Sequence, residues 1–276
     1  MTKWLLDNLD MNQYETKVVF ANTGREREET LEFIHNCDLH FGFGTIWVEC
    51  ITNPEHGKGV AARIVTYETA SRNGEPFEES IKKHGISNVK RPFCTRELKT
   101  RTINAYMRAI GWKKYHRAIG IRIDETDRIN PNYKKERIIY PLVSMVPMRK
   151  ADIFSFWEQQ PFTLNLKPYQ GNCDCCFKKS LRKLLTIAKE EPQRFDWWVA
   201  MERKYGEYVP ESQKHNPKAI PPFHFFRGNV SALEILEMSK TFIDVVKDER
   251  TEHAQLTLFG FDLDVSNGCS ESCEAF

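Results

Sequence analysis

The chain has 276 residues, of which 41% are hydrophobic and 28% charged; a chain of this size and composition can bury a full core, which excludes a disordered protein. Its formal net charge is only +2, so the molecule as a whole exerts no strong attraction on nucleic acid. The first residues lack a sustained apolar core, and no run approaches the ~20 apolar residues of a membrane span. We therefore expect a cytoplasmic protein, in which eight cysteines favour metal or redox use over structural disulfides.

Short apolar runs mark the first predicted strands. Residues 17–21 have the pattern of a buried strand, and the turn Asn22-Thr23-Gly24 that follows opens a helix with acidic residues in its first turn. Residues 45–51 form a second apolar run with β-branched and aromatic side chains. The sequence therefore predicts a strand, a helix and a second strand in succession.

Further elements continue this alternation. Residues 95–110 have the helical period and end at Gly111, while residues 115–121 and 137–142 are apolar runs typical of strands. Together these patterns predict an α/β fold with an open, mostly parallel sheet and flanking helices. Past Pro192 the pattern changes to helix and Pro-rich chain, so we expect an α/β domain over 1–190 and a helical extension with a cysteine-containing tail over 191–276.

The motif Cys173-Asp-Cys175-Cys176, directly before a basic helical stretch, is the strongest chemical signal in the sequence. Two thiols spaced C-x-x-C can reach one metal or cluster, and the N-terminus of a following helix stabilises thiolates. A closed site needs more ligands, for which Cys94, Cys269 and Cys273 are candidates. Spacing alone leaves zinc, an iron–sulfur cluster and a redox dithiol open. Cys175 is expected to be a packing thiol.

A second set of candidate residues follows the third predicted strand. Ligands of open parallel sheets bind at the carboxyl ends of the strands, where Arg122 and Arg128 could clamp phosphate or sulfate with forked donors. Asp124 and Glu125 could hold sugar hydroxyls, a metal ion or those same arginines. The alternative is a surface loop held by its own ion pairs.

Five blocks occur in the order expected of the phosphoadenosine-phosphosulfate (PAPS) reductase family, which this sequence resembles over residues 17–190. The match is especially to the reductase-like proteins of tailed bacteriophages and bacterial mobile elements. The blocks are Val18–Gly24 with Glu28–Thr30, Cys94–Lys99, Gly120–Glu125, Tyr140–Leu142 with Lys150–Ile153, and Gly171–Cys176.

The resemblance implies a Rossmann-like sheet of the adenine nucleotide α-hydrolase superfamily and adenine-nucleotide-dependent sulfur chemistry, with ATP or PAPS as ligand. It also implies a thioredoxin-like reductant and allows a homodimer. Family members open with a strand and a Ser-Gly-Gly-x-x-Ser phosphate loop that is absent here. We expect that the coding start lies further upstream; a true truncation would remove nucleotide binding and a central strand.

The functional roles known for the family are assigned only to residues of this sequence that match its motifs. The resemblance implies that Thr23 and Gly24 border the adenosine, and that Arg122, Asp124, Glu125 and Arg128 line the nucleotide or oxyanion pocket. Cys94, Cys173 and Cys176 would ligate an iron–sulfur cluster, with zinc as the alternative metal. Catalysis would fall to Arg122 and to a tail cysteine, Cys269 or Cys273, although the family's Glu-Cys-Gly-Leu-His ending is missing.

Two alternative functions follow from the same residues. The first is a nucleic-acid-thiolating enzyme of the same fold, for which we expect a basic stripe formed by Lys99, Arg101, Lys178, Lys179 and Arg182. The second is a non-catalytic binding or counter-defence protein, stabilised by a four-cysteine zinc site and without nucleotide affinity.

Overall fold

The structure, a computed structural model, describes residues 1–247 as a mixed α/β protein. Helices outnumber strands, and the strands are short. The α-helices α1 to α9 are Thr2–Asn8, Glu28–Phe41, Glu75–His84, Thr102–Ala109, Pro141–Ser144, Lys150–Glu158, Leu181–Glu190, Asp196–Tyr205 and Ala232–Thr241. The strands β1 to β5 are Val19–Asn22, Ile46–Thr52, Val60–Val65, Arg117–Ala118 and Ile138–Ile139. No helix of this described part is both long and apolar enough to span a lipid bilayer.

The main sheet has the strand order β1-β2-β3. Strands β1 and β2 are parallel, as expected for two strands joined by a helix, whereas β3 returns antiparallel to β2 through a hairpin. The strands predicted at 17–21 and 45–51 are confirmed to within two residues. The antiparallel strand β3 was not expected from the sequence.

Helix α2 connects the two parallel strands. Glu28 and Glu29 occupy its first turn, where the helix dipole favours acidic side chains. It ends at Gly42, whose φ of 65° is the left-handed conformation that glycine adopts most readily at a helix C-terminus. Cys37 lies on the buried face of this helix.

The predicted helix at 95–110 is present in two parts, a π-helix over Cys94–Arg101 and α4. The Thr102 hydroxyl donates to the carbonyl of Glu97, five residues earlier, at 2.9 Å. Leu98 is fully buried, and Met107 is buried further along, in α4. This helical unit packs against all three strands of the main sheet.

The expectation of one open sheet is only partly met. The runs at 115–121 and 137–142 contribute two residues each to a separate parallel pair, β4 with β5. Arg137 has a φ of 52°, and Pro141, which lacks a backbone N–H, begins α5 shortly after β5. Both features keep these strands short. The described residues therefore form two small sheets.

The largest core cluster joins the predicted domain and its extension. It includes Phe77 and Leu98 from the first half of the chain and Trp198 and Ile235 from the last third, all buried. Helix α7 packs on α9, and α3 packs on α8. The segment up to residue 242 thus shares one hydrophobic core with the residues before 190.

Candidate functional site

The segment after β1 meets the cysteine motif through two backbone hydrogen bonds. The N–H of Arg27 donates to the carbonyl of Asn172 at 2.7 Å, and the N–H of Asp174 donates to the carbonyl of Arg25 at 3.0 Å. We call residues 25–27 and 172–174 the junction. It brings the cysteine motif to the carboxyl end of β1, where parallel sheets bind ligands.

Glu26 lies at the centre of the junction, and its side chain is fully buried. Its carboxylate accepts hydrogen bonds from the backbone N–H and the hydroxyl of Thr23, both at 2.8 Å. The Sγ of Cys173 lies 3.8 Å from Oε1 of Glu26 and donates to it, and the Nζ of Lys99 lies 3.5 Å from the same oxygen. A thiol, a carboxylate and an ammonium group therefore meet at one point.

The π-helix that carries Cys94 also contacts the cysteine motif. The ammonium of Lys178 donates to the hydroxyl of Thr95, the neighbour of Cys94, at 3.4 Å. Cys94 and Cys176 are each 9% exposed, and Cys173 is more open. This hydrogen bond joins the Cys94 segment to the residues that follow the C-x-x-C motif.

The described residues do not by themselves complete a metal centre. Within residues 1–247, no group of three or more histidine, cysteine, aspartate or glutamate side chains is arranged to hold a metal ion. The donor set found there therefore falls short of a three-thiolate site, and the cluster stays a prediction. Cys269 and Cys273 lie outside the described residues.

Three other cysteines are buried in the way expected of packing thiols. Cys175 is fully buried and donates to the carbonyl of Arg194 at 3.7 Å; burial raises the pKa of its thiol. Burial likewise raises the pKa of Cys50, and it raises that of Cys37 to about 12. These thiols are poor nucleophiles in the folded state.

A network of charged side chains surrounds the junction. Asp174 forms ion pairs with Arg25 and with Arg194, the latter at 3.1 Å. Arg27 is fully buried, and its two terminal nitrogens lie 2.7 and 3.3 Å from the carboxylate oxygens of Glu191. An open cavity of about 330 Å³ adjoins the network; its lining residues are Arg25, Glu26, Glu28, Arg72, Asp174, Gln193 and Arg194.

Thr23 and Gly24 hold the junction loop in place. Asn22, the last residue of β1, donates to the buried Glu49 of β2 at 2.7 Å and accepts the N–H of Gly24 at 3.1 Å. Gly24 has a φ of 79°, and a Cβ there would lie 3.0 Å from the Cα of Gly74. Glycine is therefore required at this position. The hydroxyl of Thr23 is already bonded to Glu26.

The loop with Arg122 pairs its charges internally. Arg122 lies 3.1 Å from Asp124 and 3.2 Å from Glu125, and Arg128 pairs with the same Glu125. Burial opposes ionisation of Asp124, but the hydrogen bond and charge of Arg122 outweigh it and lower its pKa. Among the hydrogen bonds and ion pairs described in residues 1–247, none joins this loop to Thr23. This arrangement matches the alternative of a loop held by its own ion pairs.

The predicted basic stripe is largely neutralised. Lys99 pairs with Glu26, Arg101 pairs with Glu97 at 2.9 Å, and Arg182 pairs with Asp244 at 2.9 Å. Cations that are already paired add little attraction for a polyanion. Three of the five cations of the stripe are therefore already engaged with carboxylates.

Fold and site together define a mixed α/β protein whose cysteine motif docks on a buried carboxylate at a sheet edge. The chain is 30% identical to the nin region protein ORF290 of Escherichia phage lambda over 285 aligned positions, which cover 99% of this chain and 90% of that protein. It belongs to the family of that phage protein. No protein-family model matches the chain, and no solved structure does.

Proposed function

We propose that the chain is a PAPS reductase-like enzyme of adenine-nucleotide-dependent sulfur chemistry, and that Cys173 and its neighbours form the reacting centre. The contact between Cys173 and Glu26 carries this proposal, because it sets a thiol at the carboxyl end of a parallel strand. The order of the sequence blocks supplies the substrate class. An adenine nucleotide bearing an activated sulfur group would bind at this edge of the sheet.

The surroundings of Cys173 suit thiolate chemistry. The Glu26 carboxylate accepts the S–H hydrogen bond and can take the proton, while the nearby ammonium of Lys99 offsets the carboxylate charge. Arg25 and Arg194 line the 330 Å³ cavity, and an anionic ligand there would share their guanidinium donors with Asp174.

Sulfonucleotide reduction needs two thiols. A thiolate forms a bond to the sulfonate sulfur while the bond from that sulfur to the nucleotide phosphate oxygen breaks, so that the nucleotide leaves with the electron pair. A second thiolate then attacks the first sulfur, sulfite leaves, and a disulfide remains. A thioredoxin-like dithiol reduces this disulfide. Cys273 and Cys269 are the proposed tail thiols for the two attacks. Cys173 is the proposed second thiol only in protein without a cluster, because a thiolate bound to iron is not free to attack.

The metal content tests the proposed ligands. We expect an iron–sulfur cluster in anaerobically purified protein, and Cys94→Ser, Cys173→Ser and Cys176→Ser should each remove most of the iron and sulfide. Cys37→Ser and Cys50→Ser are matched controls, because both thiols are buried and neither belongs to the proposed ligand set. Stoichiometric zinc in a colourless protein would refute the iron assignment and favour the alternative of a non-catalytic binding or counter-defence protein stabilised by zinc.

The same preparation identifies the remaining ligand. Loss of iron in one of the variants Cys175→Ser, Cys269→Ser or Cys273→Ser would identify a fourth thiolate, and retention of iron in all three would indicate an open coordination position. Protein without any metal would leave Cys173 and Cys176 as a redox or sulfur-carrying pair.

Sulfur release tests the reaction itself. Protein incubated with sulfur-labelled PAPS and a dithiol should release labelled sulfite, and Glu26→Gln should slow this release while the exposed control Glu79→Gln does not. Calorimetry with ATP and PAPS measures binding separately from turnover. Wild-type protein that binds neither nucleotide would refute the proposed substrate class.

A further inference from the structure

A second cavity, of about 350 Å³, lies on a different part of the surface. It is bounded by the end of α3, the loop before the π-helix and a short 3-10 helix at Glu211–Gln213. Cationic and polar side chains dominate its walls. The lining residues are His84, Lys90, Arg91, Pro92, Phe93, Arg96, Ser212 and Gln213.

Arg91 is held firmly in this cavity. Its guanidinium donates to the carbonyl of His84 at 2.5 Å and lies 5.7 Å from the ring centre of Phe223. Burial lowers the pKa of Arg91, with no carboxylate opposing the effect. A partly desolvated cation without a counter-charge is stabilised by an anionic ligand.

The turn that carries Arg91 is preorganised. The Asn88 side-chain oxygen accepts the backbone N–H groups of Lys90 and Arg91, each at 3.1 Å, and the Ser87 hydroxyl donates to the carbonyl of Arg91 at 3.1 Å. Such an Asx-turn fixes the backbone from which both cationic side chains project. Little ordering remains to be done when a ligand binds.

Unpaired cations extend beyond the cavity. Lys83, in the last turn of α3, donates to the carbonyl of Lys58 in the β2–β3 hairpin at 2.6 Å. Among residues 1–247, none of Lys58, Lys83, Lys90 and Arg91 forms an ion pair with a described carboxylate. We call these four residues the basic patch.

The acidic residues nearest the cavity are already engaged. Glu97 pairs with both Arg96 and Arg101, and Glu211 pairs with Lys214. The positive charge of the basic patch is therefore not cancelled by these neighbours. Clustered cations from three chain segments, with a concave centre, are the electrostatic pattern of a phosphate-backbone site.

We propose that the basic patch binds the backbone of a single-stranded polynucleotide. One phosphate would sit in the cavity with Arg91 and Lys90, and neighbouring phosphates would lie against Lys83 and Lys58. A free phosphate or nucleotide would use the cavity alone, whereas the cations continue past it. The concave, nucleotide-sized cavity favours a single strand, whose backbone can enter it, over a duplex.

The location of the patch connects it with the sulfur site. Phe93 and Arg96 line the cavity and flank Cys94 in the sequence. A strand held by the patch would pass close to the segment that carries this thiol. Binding of the polynucleotide itself does not depend on the proposed sulfur chemistry.

Fluorescence anisotropy with a labelled oligothymidylate of about 16 nucleotides, the upper range of single-strand site sizes, tests this proposal across a salt series. The full chain is compared with the double variant Lys83→Gln/Lys90→Gln and with Lys134→Gln/Lys135→Gln. The control pair has the same charge change and is exposed. We expect weaker binding for the patch variant only. Its slope of log K against log salt should be smaller by about 1.4, or ~0.7 for each phosphate that the variant no longer neutralises.

The arginine is tested separately. Arg91→Lys keeps the positive charge but loses the paired N–H donors of the guanidinium group. We therefore expect it to weaken oligonucleotide binding less than Arg91→Gln does. Near-ultraviolet circular dichroism confirms that both variants are folded. Equal binding by both variants and the wild type would overturn the assignment of a phosphate to Arg91.

Other outcomes would also overturn the proposal. These are undetectable oligonucleotide binding by the wild type, equal losses in the patch and control pairs, equally tight binding of a duplex, and displacement of the oligonucleotide by equimolar inorganic phosphate or mononucleotide. Sulfite release and iron content are measured on the same variants. Absent sulfur chemistry with intact oligonucleotide binding would refute the proposed function alone.

Discussion

The junction and the basic patch are both rich in charged side chains, but they use charge in opposite ways. Around the junction, Arg27 and Glu191 satisfy each other, and Asp174 lies between two arginines. In the basic patch, Lys90 and Arg91 have no carboxylate partner among the described residues. Arginine and lysine thus stabilise the fold where they are paired, and remain available to a ligand where they are not.

The largest effect is expected when the reactivity of the Cys173 thiol is compared with that of the Cys175 thiol, the neighbours of Asp174 in the sequence. Burial raises the pKa of Cys37 from 9.0 to about 12, which lowers its thiolate fraction about a thousandfold. Burial also raises the pKa values of Cys50 and Cys175. In metal-free protein, iodoacetamide should label these three thiols only after unfolding, whereas it should label the partly exposed Cys173 in the native state. Peptide mass spectrometry measures both, and native labelling of Cys175 as fast as Cys173 would contradict the burial argument.

Breaking a buried pair is expected to have the next largest effect. Arg27→Met leaves Glu191 with only Arg194 and Gln170 among its described partners, and should lower the free energy of unfolding by about 3 kcal/mol. Urea denaturation measures this loss. Arg203→Met, on the exposed face of α8, is the matched control. Similar losses in both variants would mean that the Arg27 pair adds no stability to the junction.

A buried carboxylate without an arginine sharpens the comparison. Glu202 accepts the N–H groups of Phe225 and Ala232 at 2.9 and 2.8 Å, and His224 is its only described ion-pair partner. Burial raises the pKa of Glu202, so its protonated form stabilises the fold in acid and this stability is lost as pH rises through the folded pKa.

The Glu202→Gln variant isolates this effect. At about pH 4 the wild type should be more stable than the variant by ~1 kcal/mol, because the amide can accept only one of the two N–H groups. That difference should shrink as the pH rises, since only the wild type loses stability by ionisation. Urea denaturation at several pH values measures it, and a difference that grows with pH would reverse the assigned pKa direction.

The smallest effect is expected in the basic patch. Lys83→Gln/Lys90→Gln removes two cations that have no ion pair to lose, so the free energy of unfolding should change by less than about 0.5 kcal/mol for each residue. Thermal denaturation at low salt provides the comparison with wild type. A loss as large as that of Arg27→Met would show that the patch serves the fold, contrary to our proposal.

Local patterns in the sequence predicted local structure well. The strands near residues 17–21 and 45–51 are apolar runs, and the helical period at 95–110 corresponds to a helical unit in which Leu98 and Met107 are buried. Strand β3 was missed because three of its residues, Ala61, Arg63 and Ile64, are exposed, so that the strand shows no regular alternation of buried and exposed side chains. Its pairing with β2 defines it, and a single sequence does not reveal that pairing.

The candidate site could be predicted only in part. The cysteine spacing identified the motif, and the packing role of Cys175 agrees with its complete burial. The partners of the motif were missed, since Glu26 is 147 residues from Cys173 and Arg27 is 164 residues from Glu191. No periodicity or spacing rule links residues so far apart. The unpaired state of Lys90 and Arg91 likewise depends on where distant carboxylates lie.

The two backbone hydrogen bonds of the junction have a consequence for folding kinetics. They close a loop that contains α2, strands β2 and β3 and the π-helix. Pairings of such high sequence separation form late, because closing the loop costs entropy first. During synthesis, the N-terminal sheet emerges long before Cys173 does. The thiol and its carboxylate therefore meet only when most of the chain has been made and folded, so that the proposed reacting centre is not assembled on an incomplete protein.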